Sequence, residues 1–267
     1  MEGKMRNESD GGSLTALITN DDGIHSPGLL HLAQAALKAG LNVVVAAPAS
    51  EFSGSSASIT ATEEDGRILF ERRSLDGLDG IPVYAVQSAP ALIALLAAHG
   101  TFGTAPDLVL SGVNRGANIG RAILHSGTVG AALTGGVNGA RGMAVSLDVP
   151  LGTEPHGWTA AGALAGRLIP FLIDQPVGTV LNLNLPAGVG EDVPECRVAS
   201  LAEFGVVQTT MTEPDEDHVR LAVSEEREPQ HPDSDASLLA AGYATLTAIR
   251  SVGEDTSLPL DAAVDNQ

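Results

Sequence analysis

Residues 14–23, with the sequence Leu-Thr-Ala-Leu-Ile-Thr-Asn-Asp-Asp-Gly, decide the fold. The apolar run over residues 14–19 predicts a buried first strand, and the pattern over residues 27–39 predicts a helix. Asp21 and Asp22 then fall at the carboxyl end of the first strand, where open α/β sheets place their ligands. Their oxygens suit a hard divalent cation such as Mg²⁺ or Mn²⁺, although the same residue types also form ordinary turns.

The rest of the first two thirds of the chain alternates between apolar runs and helical patterns. Strands are predicted at residues 42–48, 81–87, 107–110, 143–147 and 180–185. Helices are predicted at residues 89–98, with Ser88 as N-cap, and at 128–138 and 156–173. This alternation predicts a Rossmann-like, mostly parallel sheet with helices on both faces.

The pattern changes after Pro186. Residues 196–208 and 218–223 predict a hairpin with an acidic connection at 213–217, residues 225–235 predict a charged loop, and residues 242–249 predict a last strand. We therefore expect four parts of the chain. They are a disordered tail at residues 1–13, an α/β catalytic core at 14–190, a hairpin and oligomerisation extension at 191–250, and an acidic flexible tail at 251–267.

Composition narrows the class of protein. The formal charge of −19 argues against binding a nucleic-acid polymer, but a small anionic substrate remains compatible with a bound cation and helix N-termini. The single cysteine, Cys196, excludes an intrachain disulfide and a multi-thiolate metal site, and it favours a reducing, cytoplasmic setting. No apolar run reaches the length of a membrane span, and the polar N-terminus does not fit a secretory signal.

A Gly/Asn-rich segment, Ser-Gly-Val-Asn-Arg-Gly-Ala-Asn-Ile-Gly at residues 111–120, follows another predicted strand and so lies at the same sheet edge. Asn114 offers a neutral oxygen ligand, and Gly112 lets the backbone approach a ligand closely. Asn118 is a further predicted substrate contact. The segment is neither a Walker A loop nor a dinucleotide fingerprint, and an irregular loop built from turn residues is the alternative.

Two further segments carry hydroxyl groups. Ser126, Gly127 and Thr128 open a predicted helix, where N–H groups, hydroxyls and the helix dipole can cradle a phosphate. An ordinary capped helix packed closely on the sheet is the alternative. Ser53 belongs to the Ser/Gly-rich residues 50–56 and is either an oxygen ligand or part of a flexible loop.

Five motifs together resemble the SurE family, the survival-protein nucleotidases. In chain order they are ITNDDGIHSPGL, APASEFSGSSASIT, SGVNRGANIG, HSGTVGAA and LNLNLP, within residues 14–186. The resemblance implies a metal-dependent 5′/3′-nucleotidase that forms dimers or tetramers by exchanging its C-terminal segments. It also implies four metal ligands, namely Asp21, Asp22, Ser53 and Asn114.

The chain departs from the family pattern around these motifs. The altered positions include Ala57, Arg121, Ala122, His125 and Thr134, and the segment Ser88–Ile93 differs as well. Arg121 replaces an acid of the family pattern, and a base near a phosphate pocket favours more anionic substrates. His125 adjoins the predicted phosphate cradle and could contact phosphate, whereas the other histidines show no zinc-site spacing.

We therefore expect a phosphomonoesterase that hydrolyses nucleoside 5′- and 3′-monophosphates with one Mg²⁺ or Mn²⁺ ion per subunit. Asp21, Asp22 and Asn114 are the predicted catalytic residues. The predicted substrate contacts are Asn20, Gly112, Asn118, Ser126, Gly127 and Thr128. Three alternatives stay open: a SurE-like phosphatase with a shifted phosphate-ester substrate, a non-catalytic nucleotide- or metal-binding paralogue, and a metal-dependent glycosyltransferase. The last requires a separate acceptor domain, for which the chain after residue 186 is too short and too rich in strand patterns.

Overall fold

The computed structural model describes residues 13–258, apart from residues 53, 62, 65–66, 151, 204–210, 216–217 and 222–230. The described strands are β1 (Thr15–Thr19), β2 (Asn42–Pro48), β3 (Glu63–Glu64), β4 (Arg67–Ile68), β5 (Phe70–Arg73), β6 (Val83–Val86), β7 (Leu108–Arg115), β8 (Arg141–Leu147), β9 (Val180–Leu185), β10 (Cys196–Val198), β11 (Met211–Asp215), β12 (His218–Leu221) and β13 (Ala244–Ile249). The helices are α1 (Pro27–Lys38), α2 (Pro90–Ala98), α3 (Gly127–Val137), α4 (Trp158–Ile173) and α5 (Asp235–Ala240), with a 3₁₀ helix at Gly120–His125.

One nine-stranded sheet organises the molecule, in the order β10-β13-β9-β8-β7-β1-β2-β6-β5. The central strands from β9 to β6 are parallel to their neighbours, whereas β13 and β5 pair antiparallel with β9 and β6. The predicted mostly parallel α/β fold is thus confirmed.

Alternating side chains of the sheet bury two separate aliphatic layers. Ala16 and Ile18 of β1 belong to the larger core, into which α1 and α4 also pack. Leu17 belongs to the opposite core, which contains residues of α2 and α3. Because successive strand residues point to opposite faces, these two clusters place helices on both faces of the sheet.

The order of the strands creates a crevice beside β1. The chain moves from β1 to β2 and β6 on one side, then returns to β7 and continues to β8 and β9 on the other. Thr19, the last residue of β1, pairs with Ser111 of β7, so the segments that follow these positions lie next to each other. A reversal of this kind is where parallel sheets bind ligands.

Two local predictions were wrong in this part of the chain. β7 does not end at residue 110 but continues through the Gly/Asn-rich motif to Arg115, with an irregularity in its pairing to β8 between Ser111 and Asn114. Ser88 is not the N-cap of α2. Ala89 occupies that position, and the Ser88 hydroxyl donates to the Ala89 carbonyl oxygen. Pro90 starts the helix with no side-chain cap.

The C-terminal elements also differ from the prediction. Cys196–Val198 pairs with β13 in the main sheet, and the hairpin is formed by β11 and β12 instead. Hydrophobic alternation identifies a strand but not its partner, which explains the wrong pairing. Helix α5 and the short strands β3, β4 and β5 were not predicted. The predicted tails at residues 1–13 and 251–267 lie largely outside the described residues.

Candidate active site

The Asn20–Gly23 turn is held together by the side chain of Asn20. Its Nδ2 donates to the Gly23 carbonyl oxygen over 3.0 Å, and its Oδ1 accepts from the Gly23 N–H over 3.2 Å. Gly23 has a φ of +96°, which favours glycine, and it lies against the backbone of residues 50–51. Asn20 is fully buried and makes contacts within the protein, so its predicted substrate contact stays a prediction.

Asp21 lies beneath the start of α3. It is 7% exposed, and the Thr128 hydroxyl donates to its Oδ1 over 2.5 Å. A Cβ atom at Gly127 would lie 2.6 Å from the Ser55 hydroxyl and 2.8 Å from Oδ2 of Asp21, so a glycine is needed at this position. The structure thus brings Asp21 together with two of the three residues predicted to cradle phosphate.

Asp22 lies on the other side of the turn, beside β7. Its Oδ2 accepts from the backbone N–H of Arg115 over 3.0 Å. Asn114, the preceding residue, donates its Nδ2 to the Gly116 carbonyl oxygen over 2.7 Å. This bond uses one N–H of the amide group, and the amide oxygen is the atom that Asn114 can offer to a metal ion.

Without a bound cation, the charged forms of the Asp21 and Asp22 carboxylates are unfavourable. Burial raises the pKa of Asp21, against the effect of the Thr128 hydroxyl. Burial, together with the charge of Asp21, raises the pKa of Asp22 to about 7, although the Arg115 N–H opposes this shift. Glu51 adds a smaller unfavourable charge to both. A cation placed between these groups would relieve that cost.

The donor set fits a hard divalent cation. The described residues contain no group of three His, Cys, Asp or Glu side chains that could hold a metal ion, so a cation would rely on the two carboxylates and neutral oxygens. Asn114 can supply one neutral oxygen. Ser53, the other predicted ligand, lies outside the described residues. Carboxylate and amide oxygens match the preference of Mg²⁺ and Mn²⁺.

The predicted N-cap of α3 is confirmed. The Ser126 hydroxyl accepts from the Val129 N–H over 3.1 Å. Ser126, Gly127 and Thr128 are all buried, and none of them lines the open cavity described below. Their phosphate contacts therefore stay a prediction.

Ser55 is a site residue that the sequence reasoning missed. Its hydroxyl is buried beside Gly127 and has no hydrogen-bond partner within the described part of the chain. An unpaired buried hydroxyl is unfavourable, and an added oxygen ligand or water would satisfy it. The signal was present in the Ser-Gly-Ser-Ser run that contains Ser53, but the run alone did not distinguish its serines.

Gly112 and Asn118 make structural contacts within the protein that position the elements around the site. A Cβ at Gly112 would lie 2.2 Å from the Val145 carbonyl oxygen, so this glycine lets β7 approach β8. The Asn118 N–H donates to Asn184 Oδ1 and its Nδ2 to Ser146 Oγ, each over 2.8 Å. Neither residue lines the cavity, and their predicted contact with substrate stays a prediction.

An open cavity of about 560 Å³ begins at Asp22 and Asn114. Its volume is in the range that holds small-molecule ligands. Most of the residues that line it were not predicted from the sequence. The additional residues are Ser26, Pro27, Glu51, Arg115, Val149, Pro150, Gly152, Glu154, Pro155 and Trp158.

The positions that depart from the family pattern lie away from this cavity. Ala57, Arg121 and His125 are exposed, and Thr134 donates to the Gly130 carbonyl oxygen within α3. None of these side chains, nor Ala122, lines the cavity.

Comparison with known proteins gives a consistent result. The model of the family "Survival protein SurE" matches residues 16–208. The "5'-nucleotidase SurE" of Solidesulfovibrio magneticus is 37% identical over 239 residues, covering 88% of this chain and 90% of that protein. The protein of the same name from Symbiobacterium thermophilum is 39% identical over 188 residues, which are 69% of this chain and 71% of that one.

A solved structure agrees with the sequence comparisons. The crystal structure of the SurE protein from Aquifex aeolicus superposes with a TM-score of 0.75 and 26% identity, covering 95% of this chain and all of that one. The resemblance predicted from the motifs is confirmed: this chain belongs to the SurE family.

Proposed function

We propose that this protein is a divalent-metal-dependent phosphomonoesterase that hydrolyses nucleoside 5′- and 3′-monophosphates to nucleoside and phosphate. The adjacent Asp21 and Asp22 carboxylates carry the proposal, because they follow β1 at the reversal of the strand order and Asp22 lines a cavity of about 560 Å³. Membership of a family whose relatives are named 5′-nucleotidases supports the choice of substrate.

Different residues are proposed to bind the metal ion and the phosphate group. Asp21, Asp22, Asn114 and Ser53 are proposed to hold one Mg²⁺ or Mn²⁺ ion, and Asp22 to orient the attacking water. When bound, such an ion neutralises phosphate charge and activates water for hydrolysis. The start of α3, from Ser126 to Thr128, is proposed to direct backbone N–H groups and the Ser126 hydroxyl at the phosphate oxygens, while the Thr128 hydroxyl donates to Asp21.

A bound cation would offset the negative charge of the cavity lining. Asp22, Glu51 and Glu154 surround the cavity with carboxylates, and Arg115 is its one basic lining residue among those described. A phosphate dianion entering the protein alone would meet net negative charge. A cation held by the carboxylates changes the sign of that local field.

The location of the residues that differ from the family pattern helps to choose between the usual nucleotide substrate and a shifted one. Because Arg121 and His125 are exposed and do not line the cavity, we favour the plain nucleotidase over a shifted specificity. The glycosyltransferase alternative lacks an acceptor domain among the described elements.

The deciding experiment measures phosphate release from nucleoside 5′- and 3′-monophosphates, sugar phosphates and short polyphosphate, with Mn²⁺, Mg²⁺ or a chelator. We expect the nucleoside monophosphates to be hydrolysed best, only with metal, and hardly at all by Asp22→Asn. Asp79→Asn, at an exposed position outside the cavity, is the control. Metal-dependent binding of nucleotides without phosphate release would show a non-catalytic paralogue instead.

Oligomeric state, domain limits and location belong to the same proposal. We propose a homodimer or homotetramer, with a core at residues 14–190 and an extension at 191–250 that contributes to assembly. Exposed apolar side chains such as Val198 (84% exposed) and Leu124 (69%) support an interface.

The described residues contain no helix long and apolar enough to cross a membrane. We propose a cytoplasmic location from the single cysteine.

A further inference from the structure

Two chemically different groups of residues line the cavity beside Asp22. Asp22, Glu51, Asn114, Arg115 and Glu154 are polar or charged. Val149, Pro150, Pro155 and Trp158 are apolar. A ligand that contacts both groups must carry an anionic, metal-seeking group and a flat or apolar group on the same small molecule.

Trp158 is the only tryptophan of the chain, in a protein with 3% aromatic residues. It is half-buried and packs against the main aliphatic core, while it also lines the cavity. An indole in this position combines a large apolar surface with restricted freedom, which suits stacking against a planar ring.

The backbone around Trp158 fixes its position. Gly157 has a φ of +93° and precedes the first residue of α4, and a Cβ there would lie 2.7 Å from the Val189 carbonyl oxygen. A Cβ at Gly28 would lie 3.0 Å from the Trp158 ring and 2.0 Å from the Val113 carbonyl oxygen. The ring is therefore packed closely against the first turn of α1.

Arg115 connects the polar and the apolar residues of the cavity lining. Its backbone N–H donates to Asp22, and its Nη2 donates to the Thr153 carbonyl oxygen over 3.1 Å. Thr153 in turn bonds to the Pro150 carbonyl oxygen through its N–H and its hydroxyl. The apolar wall is thus connected to the carboxylates by a short series of hydrogen bonds.

We propose that Trp158 is a specificity-determining residue that stacks on the base of a nucleoside monophosphate, with the Pro150 and Pro155 side chains beside it. This inference rests on the proposed function, since it assigns the end of the cavity that receives the nucleoside. The Asp22 end receives the phosphate. The contact recognises an aromatic ring rather than a particular base, so purines, with their larger ring system, bind more tightly than pyrimidines.

The first test uses the single tryptophan as its own probe. A phosphonate analogue of AMP, in which a methylene group replaces the ester oxygen, is titrated into the wild-type protein with Mg²⁺, and fluorescence is recorded. We expect saturable quenching by the analogue and none by methylphosphonate. An unchanged Trp158 spectrum at analogue concentrations that calorimetry shows to be saturating would overturn the proposal.

The second test compares Trp158→Leu with Trp158→Phe. Loss of stacking in Trp158→Leu should raise KM for AMP by roughly tenfold or more, leave KM for glycerol phosphate within about twofold, and change kcat little. Trp158→Phe should recover most of the loss. Phe171→Ala, on the same helix but outside the cavity lining, is the control.

The outcomes separate this inference from the proposed function. Equal losses for AMP and glycerol phosphate in Trp158→Leu would contradict base stacking while leaving the phosphatase intact. Absence of metal-dependent phosphate release from every nucleotide would contradict the proposed function itself. If the leucine variant does not fold, the fluorescence titration of the wild type still decides the matter.

Discussion

At the scale of single residues, Asp22 shows a conflict between stability and function. In the metal-free protein its pKa is raised from 3.8 to about 7, first by burial and then by Asp21. The folded state therefore keeps a proton that the unfolded state releases between these pH values, so stability is lost as pH rises through that window. Asp22→Asn removes this dependence.

We expect metal-free wild type to lose free energy of unfolding relative to Asp22→Asn as pH rises from about 4 to about 8. Urea unfolding of both proteins with chelator, at pH 5 and pH 8, measures the effect. A difference between the proteins that is the same at both pH values would contradict the assignment of the raised pKa to Asp22.

Gly127 is the second residue whose change has a defined result. A methyl group there would meet the Ser55 hydroxyl at 2.6 Å and Asp21 at 2.8 Å, so Gly127→Ala must displace both of them or the start of α3 itself. A displacement near 1 Å at a catalytic group costs about a hundredfold in rate. We expect kcat to fall by roughly that factor. Gly190→Ala, where a Cβ meets nothing within 4 Å, should keep normal activity.

At the scale of elements, two helices offer a matched pair of N-caps. Ser126 accepts from Val129 at the start of α3, and Ser234 accepts from Ser237 at the start of α5. Each Ser→Ala change should cost about 1 kcal/mol of stability. Only Ser126→Ala should also weaken competitive inhibition by inorganic phosphate or vanadate. Equal inhibition constants in both variants would show that α3 does not bind the phosphate.

The elements also show how far the sequence could predict the site. The apolar run followed by Asn20–Gly23 correctly predicted β1 and the position of both carboxylates. The glycines of the second motif indicated a loop, but pairing with β8 on one side kept it in the sheet as far as Arg115. Tertiary pairing can override the local preference of glycine, and no local pattern reports it.

Trp158 was missed for a different reason. The helix containing it was predicted, with a start two residues too early, but the cavity forms only when α4 packs against α1 and the segment after β8 joins the rim. α5 did carry a local signal, Ser234 before an Ala/Leu run, yet the charged residues before it favoured a loop. Contacts between distant segments decide such cases.

At the scale of the whole molecule, cation binding should be visible as stability. A ligand that binds only the folded state at one hundred times its Kd adds about 2.7 kcal/mol. For a chain of this size that raises Tm by roughly 5–10 °C. We expect Mn²⁺ to produce such a rise in the wild type but not in Asp22→Asn, measured by scanning calorimetry with Asp79→Asn as control. An equal rise in Asp22→Asn would place the cation elsewhere.

The cavity beside Asp22 is lined both by residues next to the central strands and by residues of a loop outside the sheet. Asp22 and Asn114 are fixed by the turn after β1 and by β7, whereas Pro150, Gly152 and Pro155 belong to a connection between β8 and α4 that lies outside the sheet. Descendants of this chain can therefore exchange residues in that connection, and acquire new substrates, without altering the carboxylate pair. With the proposed assignment, reaction chemistry and substrate choice lie on separate parts of the polypeptide, so the two can evolve at different rates.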